Sequence, residues 1–588
     1  MDEKPKGIWK KSLTGWRGLL LGWLILMVAL AVILLIWLIA MRTPIARSGD
    51  ELRLFVVVGV AVTIIFLLAS FVSFIRWLFW KHWRRGLFAL ACLATLIALF
   101  YAEEDWRGWH AWNQFKHKWE AKGEHFDFVN VVPPPVPDEQ NFAMAPVVAS
   151  CYAAMLNKNG NRVKPYNTNV VNRLEFDLGD DYGYRTAGAG NWAESKMTDL
   201  KLRLELFATK TNLFTVPIPS SSPAHDVLQV LGKYNATVEE LRQASLLPYS
   251  RFPLNYDTEC PANILLPQLA AMKSSAQLLQ LRALAELQNG QSEKALADVN
   301  LMLRLTEAIR TEPFLISHFV RIAMWQITLQ PIYEGLAEHR WSDAQLVALD
   351  AELAKLDFLA DYKLSMRGEM GAWSGIIDYL RRHPEQIPNV LGMFGGETET
   401  QNFHPPLPVK ILTHLIPAGW FDQIRLRLAR ITVAFYLPTA DDVQGTASPA
   451  GVRRAEKAFE AEMKKGATPI NFCERVMLPA LGNAVKKFAY GQASVDLART
   501  TIALERYRLA HGEFPESLDA LAPQFIAKVP HDVIGGGPLK YRRTADGQFV
   551  LYSVGWNETD DGGVVVNQKG GNVPDISQGD WVWRYPAK

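Results

Sequence analysis

A chain whose first hundred residues carry three uncharged apolar runs must bury them in a medium other than water. Leu19–Met41 reads LLLGWLILMVALAVILLIWLIAM, 23 residues without a charge. Leu54–Ile75 is a second such run of 22 residues, and Gly86–Tyr101 a third of 16. The hydrocarbon core of a bilayer takes about 20 apolar residues as helix. The first two runs meet that length and the third approaches it. No later stretch does, so the sequence reads as a membrane anchor over 1–101 with three transmembrane helices (19–41, 54–75, 86–101) and a body over 102–588.

Basic residues set the orientation. Lys4, Lys6, Lys10, Lys11 and Arg17 precede the first run, and Arg76, Lys81, Arg84 and Arg85 lie between the second and third. Arg42, Arg47 and Arg53, between the first and second, are diluted by Asp50 and Glu51. Positive loops stay cytoplasmic, so three crossings leave the body outside the cytoplasm of a bacterial inner membrane. The third run exits into Glu103-Glu104-Asp105, in keeping with that side. A re-entrant third segment would instead leave the body cytoplasmic. Trp106, Trp109, Trp112, Phe115 and Trp119 then recur at helical spacing among Arg107, Lys116 and Lys118. Such a stripe suits the headgroup zone or packs on the protein's own body.

Charge is balanced, 62 basic against 60 acidic residues, which gives no basic face for nucleic acid. Cys92, Cys151, Cys260 and Cys473 are too few and too scattered for a disulfide framework. Neither CxxC nor HExxH zinc spacing occurs.

The body divides by composition. An amphipathic aromatic segment and the stiff VPPPVP linker fill 102–137, a mixed region 138–260, a helical body 261–465, and a C-terminal α+β region 466–588. GGETETQNFHPPLP (395–408) and DDVQGTASPAG (441–451) read as exposed loops. From about Pro261 the spacing predicts successive antiparallel helices. One stops at Asn289-Gly290, the next is capped by Ser292, and a third covers about Phe314–Glu338. Ser342-Asp-Ala-Gln345 is a capping box, and Thr237-Val-Glu-Glu240 another helix start. Ala283-x6-Gly290-x4-Ala295-Leu296 resembles one tetratricopeptide-like helix pair, in a repeat-like stack of the kind that presents surfaces to other proteins. His318, in LISHFVRIAMW, reads as a core or capping histidine. Arg304, Glu307, Arg310, Arg367 and Glu369 read as exposed helix pairs.

Candidate chemistry is sparse. Glu175, Asp177, Asp180 and Asp181 gather around a glycine in LEFDLGDDYGY, where carboxylates hold a hard cation, act as acid and base, or simply make turns. Phosphate loops, dinucleotide fingerprints and nucleophile elbows are missing from the sequence.

After Cys473 a long helix runs to His511-Gly512, with Pro479 and Gly482 expected to kink its start. A short amphipathic helix in EFPESLDALAPQFIAKVPHD follows, then strands over Pro538–Arg543 and Gln548–Val554 joined at Asp546-Gly547, a Gly/Asp/Asn-rich loop, and a strand at Trp581–Arg584.

The last part, ALERYRLAHGEFPESLDAL with YSVGWNETDDGG and PDISQGDWVW, resembles the soluble part of type II secretion major pseudopilins. The matching positions are Tyr507, Gly512, Phe514 and Pro515 in the turn after the helix, and Ser553, Gly555, Asp560 or Asp561, Asp575-Ile576 and Trp581 in the loops. The resemblance covers roughly a fifth of the chain. It implies a pseudopilin-like α+β domain and a calcium ion held by Asp560, Asp561 and Asp575. The sequence departs from that family in beginning MDEKPKGIWK rather than with a processed leader and apolar helix, and Asn557 and Glu558 shift the loop spacing. The whole arrangement is also similar to uncharacterised multi-domain membrane proteins of Planctomycetes and Verrucomicrobia, through PPPVPDEQNF and EPFLISHFVRIA.

The expected fold is therefore mainly α: three transmembrane helices, a repeat-like helical body and a small C-terminal α+β domain. The expected role is non-enzymatic binding or scaffolding in the envelope, with the lipid bilayer and other envelope proteins as partners. The alternative is an envelope hydrolase or carbohydrate-binding protein using the Glu175–Asp181 carboxylates.

Overall fold

The computed structural model describes residues 49–157, 160–162, 171–176, 178, 188–210, 222–394, 412–464, 472–569 and 573–586. The first apolar run, 19–41, and the loop 395–408 lie outside these residues. The fold is mainly α with few strands. It divides into two compact units, Met1–Ala102 and Glu103–Lys588.

Helix α1 (Gly49–Glu120) is 72 residues long and passes through the boundary between these units. The runs 54–75 and 86–101 thus share one continuous helix and are not two helices joined by a turn. The linker RWLFWKHWRR contains only helix-compatible residues and no Gly, Pro, Asn or Asp to break it. Local propensity encodes no turn there. Within a bilayer, the cost of immersing Arg76, Lys81, Arg84 and Arg85 would have to supply one.

The second unit is built on a layered helical stack. α2 (Pro146–Ala153), α3 (Leu200–Thr209), α4 (Pro223–Leu231) and α5 (Asn235–Ala244) lead into α6 (Gln268–Gln288) and α7 (Ser292–Ala308), an antiparallel pair. The pair turns at Gly290, whose φ of +72° is the left-handed conformation that glycine adopts freely. α8 (Leu315–Ala337) packs on both helices. Ser292 is the first helical residue and not the cap, since Gln291 precedes it in that place. The Thr237 start is likewise displaced, because α5 already begins at Asn235. The capping box at Ser342 is formed: Gln345 N donates to Ser342 Oγ, and Ser342 N to Gln345 Oε1 at 2.9 Å, opening α9 (Asp343–Leu353). Asp357 caps α10 (Phe358–Arg382) through Ala360 N. α11 (Ile387–Phe394) and α12 (Ala418–Ile431) follow. The expected loop at 441–451 is a tight hairpin, β1 (Ala440–Asp441) with β2 (Thr446–Ala447), that leads directly into α13 (Pro449–Met463).

α14 (Phe472–His511) runs through Pro479 and Gly482 without interruption. Ala484, Val485, Phe488, Ala489, Ala493, Ala498, Ile502 and Leu504 are all buried. Small residues on its surface let it lie against α8, α9 and α10 while also packing on a sheet. That sheet is antiparallel, in the order β3 (Lys540–Arg543), β4 (Phe549–Ser553), β7 (Trp581–Arg584). Every residue of β4 is buried. Phe549 and Leu551 join the main core, whereas Val550 and Tyr552 pack with Val582 and Val565 under a second hairpin, β5 (Val565–Asn567) with β6 (Pro574–Gly579). That hairpin lies inside the expected loop. The short helix expected before the sheet reduces to a single 3-10 turn at Leu518–Leu521. The ranges 138–260, 261–465 and 466–588 are regions of one compact unit, because α14 belongs to the helical core and to the sheet's floor at once.

Candidate membrane-interface site

Among the described residues one helical segment, Arg84–Glu120, is long and apolar enough to cross a membrane. Its Leu87, Phe88, Leu90, Leu93, Leu96 and Phe100 are exposed. C-terminal to this run the same helix changes character. Trp106 and Trp109 remain 62% and 57% exposed, whereas Trp112 is 5% exposed and Phe115 and Trp119 pack on the core. The aromatic stripe therefore splits. Trp112 meets Phe126 edge-on at 5.5 Å and lies under the Arg425 guanidinium at 5.3 Å. Among the described residues the first two rings have no such partners in the core.

Between these parts, α1 is joined to α12 at backbone distance. A methyl group on Gly419 would stand 2.0 Å from Glu104 O, and one on Gly108 2.1 Å from Gly419 O. Only glycine permits this approach. Polar contacts frame it. Gly419 N donates to Asp105 Oδ1 at 2.7 Å, and Trp420 Nε1 and Gln423 Nε2 donate to Glu104 Oε2 at 3.0 and 3.1 Å. Arg107 Nη2 donates to both Glu104 oxygens at 2.6 Å. Burial works to raise the Glu104 carboxyl, but these donors outweigh it and hold the group below its ordinary value. Beyond the helix, Arg367 grips Glu124 with two bonds of 2.8 Å. Glu104 and Asp105 are thus docking residues as well as an acidic exit from an apolar run. In sequence their signal is faint: Glu104, Gly108, Trp112 and Phe115 share one helical face.

A second polar group lies in the helical core. Arg321 on α8 is fully buried, donates from Nε to Thr306 O at 3.1 Å and pairs with Glu307 and Asp361. Its guanidinium sits over the Phe358 ring at 5.1 Å. Glu312 accepts from Gln268 Nε2 at 2.8 Å and contacts Ser317 Oγ, and burial pushes its carboxyl up to about 7. His318 Nε2 donates to Glu312 O at 2.9 Å, and burial depresses the imidazole to about 3, which keeps it neutral. It is a core histidine. Among the residues expected as exposed pairs, Glu307 and Arg310 do pair three positions apart at 3.5 Å, with Arg310 exposed, whereas the others are tied into the body. Arg304 donates to Ser245 O and Leu247 O, Glu307 holds Arg321, Glu369 accepts from Leu315 N, and Arg367 holds Glu124.

Of the carboxylates expected to do chemistry, Glu175 is exposed, and Asp177, Asp180 and Asp181 lie outside the described residues. In the C-terminal loops the structure gives each aspartate its own protein donor. Asp560 Oδ1 accepts from Tyr552 Oη at 2.9 Å and Gly562 N at 3.1 Å. Asp561 Oδ2 accepts from Asn557 Nδ2 at 2.8 Å, and Asp575 Oδ1 from Ser577 N at 2.9 Å. Asp580 and Asp532, not singled out in the sequence, are the structural clips. The first accepts from the Asp561, Gly563 and Val564 amides, and the second from Ile534 N, Val554 N and Ser553 Oγ. Among the described residues no three His, Cys, Asp or Glu side chains gather as a metal site. Cys151 and Cys260 are buried free thiols, and Cys92 is an exposed one.

No known family, curated protein or solved structure matches this chain.

Proposed function

We propose that the chain is a non-enzymatic, membrane-anchored envelope protein whose helical body binds or scaffolds other proteins. The observation that supports this reading most is the construction of α1: an exposed apolar run long enough to cross a bilayer continues into a segment clamped to α12 through Gly108 and Gly419. Trp106 and Trp109, left exposed directly after it, are the residue type that settles at headgroups.

The body faces away from the cytoplasm in this proposal, on the strength of the basic residues around 1–17 and 76–85. A reporter fused after Lys588 tests it. Activity of a reporter enzyme that folds only outside the cytoplasm agrees with the proposal. Activity of a cytoplasmic reporter reverses it, and would agree with Leu54–Ile75 and Gly86–Tyr101 acting as one helix. The link to a secretion or pilus-like machine rests on the pseudopilin resemblance. Crosslinking in the native membrane followed by purification tests it: co-purified secretion or pilus components support the link, and recovery of the protein alone removes it. Calcium belongs to the same resemblance. Binding at Asp560, Asp561 and Asp575 would appear as a melting temperature raised by calcium and not by magnesium.

A further inference from the structure

A cavity of about 300 Å³ opens between the loop Gly190–Ala193, α6, α8, α14 and the segment Val573–Ile576. Among the described residues, no ionisable acid or base other than the Tyr490 phenol lines it. The wall consists of aromatic rings, carboxamides and aliphatic groups. Trp192 and Tyr490 stand nearly parallel, 6.1 Å apart, and Trp192 leans on Trp583 at 5.6 Å.

The amides are locked in place. Trp192 N and Nε1 donate to Gln330 Oε1 at 2.7 Å and Gln326 Oε1 at 3.0 Å. Gln326 Nε2 donates onward to Ser494 Oγ at 2.9 Å, and Gln330 Nε2 to Glu334 Oε1 at 2.7 Å. Gln280 Nε2 donates to Ile327 O at 2.9 Å. Asn191 Nδ2 is buried in this wall without a partner among the described residues.

From this wall we infer that the cavity is a binding site for an uncharged sugar residue. The volume is at the lower end of small-molecule cavities, roughly 300–1,000 Å³, which suits one ring and not a nucleotide. A charged ligand would lose its hydration here without gaining a counter-charge. An uncharged ring places its C–H faces on aromatic carbon and its hydroxyls on amides and the Tyr490 phenol. The site is separate from the Glu175–Asp181 carboxylates and does not depend on the membrane reading.

Saturation-transfer NMR on the full chain in a sugar-free detergent tests it, with N-acetylglucosamine and methyl glucoside as probes. Glucuronate and N-acetylprolinamide serve as charged and peptide-like controls. The expected result is transfer to a neutral sugar and not to the controls. Val573→Trp, a filling change at an exposed rim position, is expected to abolish it with an unchanged melting temperature. Tyr490→Phe should weaken the affinity about fivefold, as for loss of one hydrogen bond, and decides the matter if Val573→Trp fails to fold. Transfer that survives Val573→Trp in a folded protein, transfer to the peptide control alone, or no transfer to either sugar overturns the proposal.

Discussion

The junction of α1 with α12 and the polar cluster between α7, α8 and α10 both take carboxylates out of water, and they resolve the cost in opposite ways. At the junction Glu104 meets donors from Arg107, Trp420 and Gln423 and stays ionised below its ordinary range. In the core Glu312 meets one amide and one hydroxyl, no cation holds it, and it keeps its proton up to about pH 7. Burial is the main cause at Glu312, whereas at Glu104 a cation and further donors outweigh it. The consequence is two acid–base responses of opposite sign in one protein.

The largest expected break is at the core's ion pairs. Arg321→Ala leaves Asp361 and Glu307 facing a void, and chemical denaturation should register a loss of about 3–5 kcal/mol. The proton on Glu312 gives the next effect. Between about pH 4.5 and about 7 the folded chain holds a proton that the unfolded chain has released, so stability falls as pH rises through that window, by on the order of 3 kcal/mol. Glu312→Gln should flatten that slope; an unchanged slope would assign the titration elsewhere. At the junction, Gly419→Ala forces α1 and α12 apart and should cost about 1–3 kcal/mol. Glu104→Gln should cost about 1–2 kcal/mol near neutral pH. It should also remove a loss of stability that appears in the native protein only as pH falls below the ordinary carboxylate range, which is the reverse of the Glu312 response. The smallest effect on folding belongs to Trp106→Ser with Trp109→Ser, below about 0.5 kcal/mol. The same pair should shift the fluorescence of the protein in vesicles, because these two rings are exposed.

Much of the helical body was legible from local rules. The stop at Asn289-Gly290, the Ser342 capping box, the end of α14 at His511 and the hairpin through Asp546-Gly547 all depend on residues a few positions apart. Errors arose where distant chain supplied the environment. The segment after Pro515 has the apolar spacing of a helix, yet Leu521 and Phe525 are drawn into the main core and leave only a 3-10 turn. Val565–Asn567 and Pro574–Gly579 read as loop, because each finds its pairing partner only across the Gly/Asn-containing segment QKGGNV. Glu307 makes the expected local pair with Arg310, but it also holds Arg321 from the next helix, and Arg367 holds Glu124, 243 residues away, which local spacing does not reveal.

The sequence alone determined the apolar runs, the mainly helical class, the succession of helices from Pro261 onward and the strand-forming end, since each follows from composition and spacing within one segment. Tertiary structure alone decided which face of the tryptophan stripe is covered, which carboxylates are docking groups, and that the C-terminal sheet shares its core with the helical stack. The physical reason is that burial and hydrogen-bond satisfaction belong to pairs of segments. Gly108 against Gly419 and Trp325 against Ser494 are contacts that neither segment specifies by itself.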